Sequence, residues 1–186
     1  MSAAPQEYSY QQVDPELALK YAIQHINGDR SEIIEGVIEP MSPTWGHETA
    51  AENIREQLRE RIRALDCLAG SGNLDLPGSR NWYVPDIAVV PRALAQDAKA
   101  LLPDQTLLVV EVTSDSNGDT DPVVKRRRYA EYGAPLDLLV DRQERTCTLF
   151  STPGPLGYTL VDGPHSFGTS LRLPEPFGVE LATDRF

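Results

Sequence analysis

The chain has 186 residues, of which 40% are hydrophobic and 24% are charged, as is ordinary for a globular protein. This length favours one domain, and we expect it over residues 13–186, after a flexible N-terminus of residues 1–12. The formal net charge of −11 argues against a broad basic surface for nucleic acid. The sequence contains neither an apolar run of about 20 residues that would span a bilayer nor a signal-peptide pattern. We therefore expect a cytoplasmic protein with no membrane partner.

The N-terminal part predicts a helix followed by a pair of short strands. DPELALKYAIQHINGD is typical of a helix, with Asp14 as its cap and with Leu17 and Tyr21 on one apolar face. SEIIEGVIEP has two apolar pairs around an acidic residue and a glycine, a pattern typical of a tight hairpin.

The strongest helical pattern in the chain is HETAAENIREQLRERIRALD. Its apolar residues recur at helical spacing, with charged residues on the opposite face; they are Ala50, Ile54, Leu58, Ile62 and Leu65. The next segment, GSGNLDLPGSRN, is rich in turn-forming residues. WYVPDIAVVP then predicts a single strand that ends at Pro91.

The second half of the chain predicts a buried strand, a helix and further strands. LLVVEVTS is a continuous apolar run interrupted by one acid, as expected of a buried strand. DPVVKRRRYAEYG predicts a helix capped by Asp121 and stopped by Gly133. PLDLLVD and RTCTLFS predict a hairpin, and short strands follow. This order of elements favours a mixed sheet with helices packed on it.

Familiar metal and catalytic motifs are absent from the sequence. Cys67 and Cys147 lie far apart and form no metal-type pair, so we expect free thiols. DSNGDTD resembles a calcium loop, but Thr120 and Arg126 stand where that loop needs Gly and Glu. It therefore predicts a polar turn. No Walker loop, GxSxG or HExxH sequence is present.

Two carboxylates lie within apolar, strand-like runs: Asp86 in VPDIAVV and Glu111 in LLVVEVT. A buried ionised carboxylate is costly unless it is paired or bound to a metal. If the two strands are neighbours, both side chains can face one side and share Mg²⁺ or Mn²⁺, with the carbonyl of Val112 as a third oxygen ligand. The alternative is two unrelated acids at strand ends, one of which binds a loop amide.

Lys125 lies in the first turn of the helix that follows Glu111. From there a lysine can extend over the sheet edge towards the carboxylates. It can orient or deprotonate a water molecule, or offset charge on a phosphate. Since Lys125 also opens the basic run Lys125–Arg128, the alternative is a solvated surface charge.

These motifs, taken in order, resemble a known family. In chain order they are EIIEG, MSP and a histidine, PDIAVV, VVEVTSDS with a later lysine, YAEYGAP and LLVD. They are similar to the motifs of the Uma2 family of "putative restriction endonucleases", within the PD-(D/E)xK nuclease superfamily. The resemblance runs from about Glu32 to the C-terminal strands. It implies a restriction-endonuclease-like α/β fold, with a mixed central sheet flanked by helices, and a Mg²⁺-dependent endonuclease that acts on DNA.

The resemblance also implies a set of site residues: Asp86, Glu111, Lys125, Glu32 and His47. Asp86 and Glu111 would hold the metal. In the superfamily's commonest form the lysine follows the second acid by two residues, but Thr113 occupies that position here. The resemblance implies that the lysine has moved to the next helix, as Lys125. Glu32 and His47 would be secondary contacts to metal or water. The family's GVPEYWLVD is GAPLDLLVD in this chain, which affects packing more than chemistry.

The acidic composition leaves other functions open. One is a catalytically silent relative that binds a protein or a nucleic acid through the inherited fold. Another is a metal-dependent hydrolase of a small phosphoester, for which an acidic surface causes less difficulty. Binding a DNA duplex usually needs basic residues that displace counterions. The stretches Lys125–Arg128 and Arg55–Arg63 provide some basic residues. A homodimer would bring the basic stretches of two chains together.

Overall fold

The computed structural model describes residues 14–25, 30–41, 43–113 and 120–186, with the side chains of residues 120 and 121 excepted. The expected flexible segment, residues 1–12, and most of the DSNGDTD turn lie outside these ranges. The α-helices of the described residues are α1 (Pro15–Gln24), α2 (Trp45–Ala64), α3 (Arg92–Ala95) and α4 (Thr120–Glu131), and Pro103–Gln105 forms a 3-10 helix. The strands are β1 (Ser31–Ile34), β2 (Val37–Pro40), β3 (Cys67–Gly70), β4 (Leu74–Leu76), β5 (Asn81–Tyr83), β6 (Ile87–Pro91), β7 (Leu108–Val112), β8 (Leu136–Asp141), β9 (Thr146–Gly154), β10 (Gly157–Ser166), β11 (Leu171–Arg172) and β12 (Glu180–Leu181).

The largest sheet is six-stranded and mixed, in the order β10-β9-β8-β7-β6-β3. Its only parallel pair among the described strands is β7 with β8, and α4 connects these two strands, as parallel strands require. The mixed sheet with flanking helices predicted from the sequence is confirmed. The predicted hairpin of β8 and β9 is confirmed as well.

A second sheet was not predicted. It has four strands in the order β2-β1-β5-β4, and it includes the predicted hairpin of β1 and β2. WYVPDIAVVP is therefore two strands rather than one, because β5 belongs to this sheet and β6 to the large one. The break falls at Val84–Asp86, where Pro85 has no N–H to donate to a strand partner. This break places Asp86 at the point where the chain passes between the two sheets.

The stretch predicted to be only turns contains β4, and β3 just before it was also missed. Both strands are short, with three and four residues, too few to show a clear alternation of polar and apolar side chains. Leu74 and Leu76 of β4 are nevertheless fully buried. β4 pairs with the next strand, β5, and β3 pairs with β6, which follows two strands later in the chain; these pairings decide both strands.

The two faces of the large sheet are covered by different elements. On one face α2 packs with Val110 and Val112 of β7, and its predicted apolar stripe is confirmed, since Ala50, Ile54, Leu58 and Ile62 are buried there and Leu65 is partly buried. On the other face Val109 packs with Tyr129 of α4 and with residues of the second sheet. Since strand side chains alternate, Glu111 projects to the same face as Val109.

The predicted apolar face of α1 is wrong. Leu17 and Tyr21 are each 65% exposed, whereas Lys20 is buried. The lysine ammonium lies 2.6 Å from Asp75 Oδ1 and donates a 2.9 Å hydrogen bond to the carbonyl of Leu76. An ion pair and a carbonyl compensate for the burial of this charge, and α1 docks through them. Asp14 caps the helix as predicted.

Two further expectations concern α4 and the cysteines. The helix starts at Thr120, so Asp121 lies within its first turn and is not the predicted cap. Gly133 follows the helix with a φ of 79°, the left-handed conformation of a helix stop, as predicted. Cys67 and Cys147 are buried free thiols, also as predicted.

No helix of the described ranges is long and apolar enough to cross a membrane.

Candidate active site

All five site residues implied by the family resemblance lie close together in the structure. They come from five elements: Glu32 from β1, His47 from α2, Asp86 from the turn before β6, Glu111 from β7 and Lys125 from α4. Lys125 binds Glu32 and Glu111, and His47 binds Asp86. The two groups meet where Asp86 accepts a hydrogen bond from the N–H of Val112, the residue after Glu111. Their catalytic roles stay a prediction, but the convergence on which those roles depend is present.

Lys125 lies at the centre of this cluster. Its ammonium is 3.0 Å from Glu32 Oε2 and 3.1 Å from Glu111 Oε1, and the residue is 4% exposed. The sequence left open a solvated charge in a basic run, and that alternative is wrong. Lys125 is the sixth residue of α4, so it lies in the second turn of the helix rather than in the predicted first turn. Helical side chains tilt towards the N-terminus, which directs this lysine back over the sheet edge.

Asp86 is held by two donors. Its Oδ2 accepts a 2.6 Å hydrogen bond from the backbone N–H of Val112, and its Oδ1 lies 2.5 Å from His47 Nε2. The antiparallel register pairs Ile87 with Val110, so one further step along the strands places Asp86 opposite Glu111. The two acids therefore meet at one edge of the β6–β7 pair, as expected if the strands are neighbours.

Glu32 supports Lys125 from the second sheet. Its carboxylate is buried and also accepts a 3.2 Å hydrogen bond from the N–H of Val84. Val84 belongs to the break between β5 and β6, so Glu32 ties the lysine to the segment that carries Asp86. We infer that Glu32 is a positioning residue.

The electrostatics of the site are dominated by Glu111. Burial raises the pKa of its carboxyl well above the ordinary value, and the charges of Asp86 and Glu32 raise it further. Lys125 and a hydrogen bond from Tyr129 oppose this shift. The cluster thus contains three carboxyl groups and one lysine. Because a nearby opposite charge favours the ionised form of a carboxyl group, an additional cation would lower the pKa of Glu111.

Tyr129 was missed by the sequence reasoning. Its hydroxyl donates a 2.6 Å hydrogen bond to Glu111 Oε1, and its ring is fully buried. The signal was available, because Tyr129 follows Lys125 by four residues and so lies on the same face of α4. Two side chains of one helix therefore hold Glu111.

Thr113 occupies the position of the superfamily's common lysine, but it takes part in another contact. Its hydroxyl donates to Asp141 Oδ1 at 3.3 Å and accepts from the N–H of Arg142 at 3.0 Å. Asp141 also accepts from two N–H groups of the β8–β9 turn. Thr113 therefore stabilises this turn, and Lys125 provides the amine of the cluster.

Asp86 and Glu111 provide carboxylate oxygens, which are the type of ligand that a hard divalent cation takes. Among residues 14–25, 30–41, 43–113 and 120–186, no group of three or more His, Cys, Asp or Glu side chains could hold a metal. Two carboxylates and a backbone carbonyl remain, which are oxygen ligands of the kind that Mg²⁺ and Mn²⁺ prefer. Asp86 is already bonded to the backbone of Val112. The carboxyl groups of Asp86 and Glu32 near Glu111 provide the negative charge that a cation needs.

A mixed sheet with a cluster of acids and a lysine at the ends of its inner strands is the arrangement of a restriction-endonuclease-like fold. A comparison with solved structures agrees with this class. The crystal structure of a "putative nuclease belonging to DUF820" from Anabaena variabilis ATCC 29413 superposes with a TM-score of 0.71. It covers 90% of this chain and 95% of the other, at 18% sequence identity, and thus shows a shared fold.

The chain belongs to the Uma2 family. This family, described as "putative restriction endonuclease", matches residues 16–184, and the resemblance inferred from the motifs is confirmed. A comparison with curated proteins found no match.

Proposed function

We propose that the protein is a divalent-metal-dependent endonuclease that hydrolyses phosphodiester bonds of DNA. The main support is that Asp86, Glu111 and Lys125, from three separate elements, meet at one sheet edge. Membership of a family described as "putative restriction endonuclease" agrees with this function. So does the fold shared with a "putative nuclease".

Asp86, Glu111 and the carbonyl of Val112 would hold Mg²⁺ or Mn²⁺. When bound, such an ion lowers the pKa of a water molecule and offsets negative charge on a phosphate. The chain's own residues prepare this site: His47 and the Val112 N–H fix the carboxylate of Asp86, and Tyr129 fixes that of Glu111.

Lys125 is the residue that we expect to act on the reacting atoms. In hydrolysis a water oxygen forms a bond to phosphorus while one P–O ester bond breaks and the leaving oxygen takes a proton. An ammonium group donates hydrogen bonds, so Lys125 is suited to orient the water or to stabilise charge on the phosphate. Its two carboxylate partners, at 3.0 and 3.1 Å, hold the ammonium group in position.

A cleavage assay with Mg²⁺ or Mn²⁺ tests this proposal. We expect Asp86→Asn and Lys125→Met to reduce the rate by about 100-fold or more. Glu56→Gln is a matched control, because Glu56 is exposed on α2. The proposal fails if Asp86→Asn, folded and pure, cleaves DNA as fast as the wild type does.

A catalytically silent binding protein is the second candidate. It is favoured by the internal bonding of the cluster, since both oxygens of Glu111 and both of Asp86 have protein partners. Calorimetric titration with Mn²⁺ separates the two functions. Binding that disappears in Glu111→Gln supports the nuclease, whereas no binding at millimolar Mn²⁺ supports the silent protein. The homodimer expected from the sequence stays a prediction.

A further inference from the structure

We propose that three cations, Arg142, Arg30 and Lys99, hold backbone phosphates of a DNA strand on both sides of Asp86. These three residues are called the phosphate track below. The proposal rests on the proposed function and deepens it, because it makes the substrate a polynucleotide rather than a small phosphoester.

One end of the phosphate track lies in a hollow of about 470 Å³ between the end of α1, the start of β1 and the β3–β4 loop. Arg30 and Lys99 line this hollow, and its described lining includes no carboxylate. In a chain with 28 acidic and 17 basic residues, a concave surface whose described residues include two cations and no acid is a local reversal of charge. Such a surface attracts a phosphate.

The hollow continues towards Asp86. A second hollow, of about 270 Å³, shares Arg30 and Ser71 with the first and contains Asp86 in its wall. Arg30 is fixed at this junction, where its guanidinium donates to the carbonyl of Ser71. Arg55 also lines the second hollow, but it is paired with Glu52 at 2.9 Å, so its charge is already compensated.

The other end of the phosphate track is Arg142. Its guanidinium lies over Gly46 in the first turn of α2, where a Cβ at Gly46 would come within 2.9 Å of Arg142 Cζ. The next residue, His47, contacts Asp86. Contacts therefore link Arg142 to Asp86 through the first turn of α2, and the two hollows link Asp86 to Arg30 and Lys99.

These cations are available to a ligand. Within the described part of the chain, no carboxylate lies within 4.0 Å of the side-chain nitrogens of Arg30, Lys99 or Arg142. A phosphate diester offers each of them a charged acceptor. A small phosphoester has its phosphate at a single point, whereas cations on both sides of Asp86 match a backbone that continues in both directions.

Fluorescence anisotropy with a labelled DNA oligonucleotide, in EDTA and over a series of salt concentrations, tests the phosphate track. We expect Arg142→Gln and the double variant Arg30→Gln/Lys99→Gln to bind about fivefold to tenfold more weakly for each cation removed. The slope of log affinity against log salt should flatten by about 0.7–0.9 per cation.

Arg172→Gln is the control. Arg172 is exposed on β11, lines neither hollow and lies 3.8 Å from Glu180 Oε1, which already compensates its charge. Its removal changes the net charge equally and should leave the affinity and the slope close to those of the wild type. The track is refuted if all variants bind alike, or if the wild type does not bind the oligonucleotide.

Binding in EDTA needs neither metal nor turnover, so this test separates the two proposals. A protein that binds DNA through the three cations but never cleaves it contradicts the nuclease and keeps the phosphate track. A protein that cleaves DNA, with track variants that behave like Arg172→Gln, contradicts the track alone. Competition by a mononucleotide as strong as that by the oligonucleotide also refutes the track.

Discussion

Lys125 Nζ lies 3.0 Å from Glu32 Oε2, and this contact joins the second sheet to the helix that follows β7. The two residues are 93 positions apart in the chain. Because Glu111 binds the same ammonium, one buried lysine holds together two carboxylates that would otherwise repel each other. The site and the packing of α4 therefore depend on the same interaction.

Replacement of Lys125 by Met should destabilise the protein strongly. Loss of one partner leaves buried charges uncompensated, which typically costs about 3–5 kcal/mol. The free energy of unfolding in urea measures this loss. The double variant Glu32→Gln/Lys125→Met should lose less than the sum of the single variants, because it removes one of the stranded carboxylates. Lys99→Met is the control, since Lys99 is exposed; equal stability of Lys99→Met and Lys125→Met would contradict the prediction.

Tyr129→Phe should weaken metal binding while the fold is kept. The change removes the 2.6 Å hydrogen bond to Glu111 and leaves the buried ring in place. We expect a loss of about 1–2 kcal/mol in stability and a lower affinity for Mn²⁺ in calorimetry. Tyr132→Phe is matched, because Tyr132 donates to the carbonyl of Pro77 at an exposed position. If both variants bind Mn²⁺ like the wild type, Tyr129 has no positioning role.

Gly46→Ala should weaken DNA binding without loss of stability. The new methyl group would displace the guanidinium of Arg142. This group is the far end of a flexible side chain, so it can move without disturbing the fold. Alanine within a helix is favoured over glycine by roughly 0.5–1 kcal/mol, so the melting temperature should hold or rise. Anisotropy should show the same loss of affinity as Arg142→Gln. If Gly46→Ala binds DNA with wild-type affinity, Arg142 does not hold the bound strand.

Asp137 should make the protein less stable as the pH rises. Its side chain is 2% exposed, its Oδ1 has no hydrogen-bond partner, and burial raises the pKa of the carboxyl to about 7. In the unfolded chain the pKa is near 4, so the unfolded state loses its proton first. Stability should therefore fall between about pH 4 and pH 7 and level off above, with a cost on the order of 4 kcal/mol.

Asp137→Asn should remove this part of the pH dependence. Urea denaturation at pH 5 and pH 8 measures it, and the variant should gain stability relative to the wild type mainly at pH 8. Asp97→Asn is the control, because Asp97 is exposed. Parallel pH dependence in wild type and Asp137→Asn would show that this carboxyl is not destabilising when ionised.

The local elements followed from the sequence where a long periodic pattern existed. The α2 stripe was correctly predicted because Ile54, Leu58 and Ile62 recur at every fourth position within a helix of 20 residues. The strands β3 and β4 were missed because three or four residues carry no such pattern. The face of α1 was predicted wrongly, since the burial of Lys20 depends on Asp75, a partner on a remote strand.

The site residues differ in how they were found. Asp86 and Glu111 were identified from the sequence because a charge within an apolar run demands a partner. Glu32 and His47 were implied only by the family resemblance. Arg142 was not identified, since nothing in its local sequence distinguishes it from other surface cations.

The sequence alone determined that two acids within apolar runs had to be compensated and that a helix with a lysine followed the second. Only the tertiary structure decided that Glu32, Lys125 and Glu111 share one ion-pair cluster, and that Arg30 lines the same hollow as Asp86. The physical reason is that periodicity and propensity act between near neighbours in the chain. Ion pairs and hollows form between residues that only the pairing of remote strands brings together.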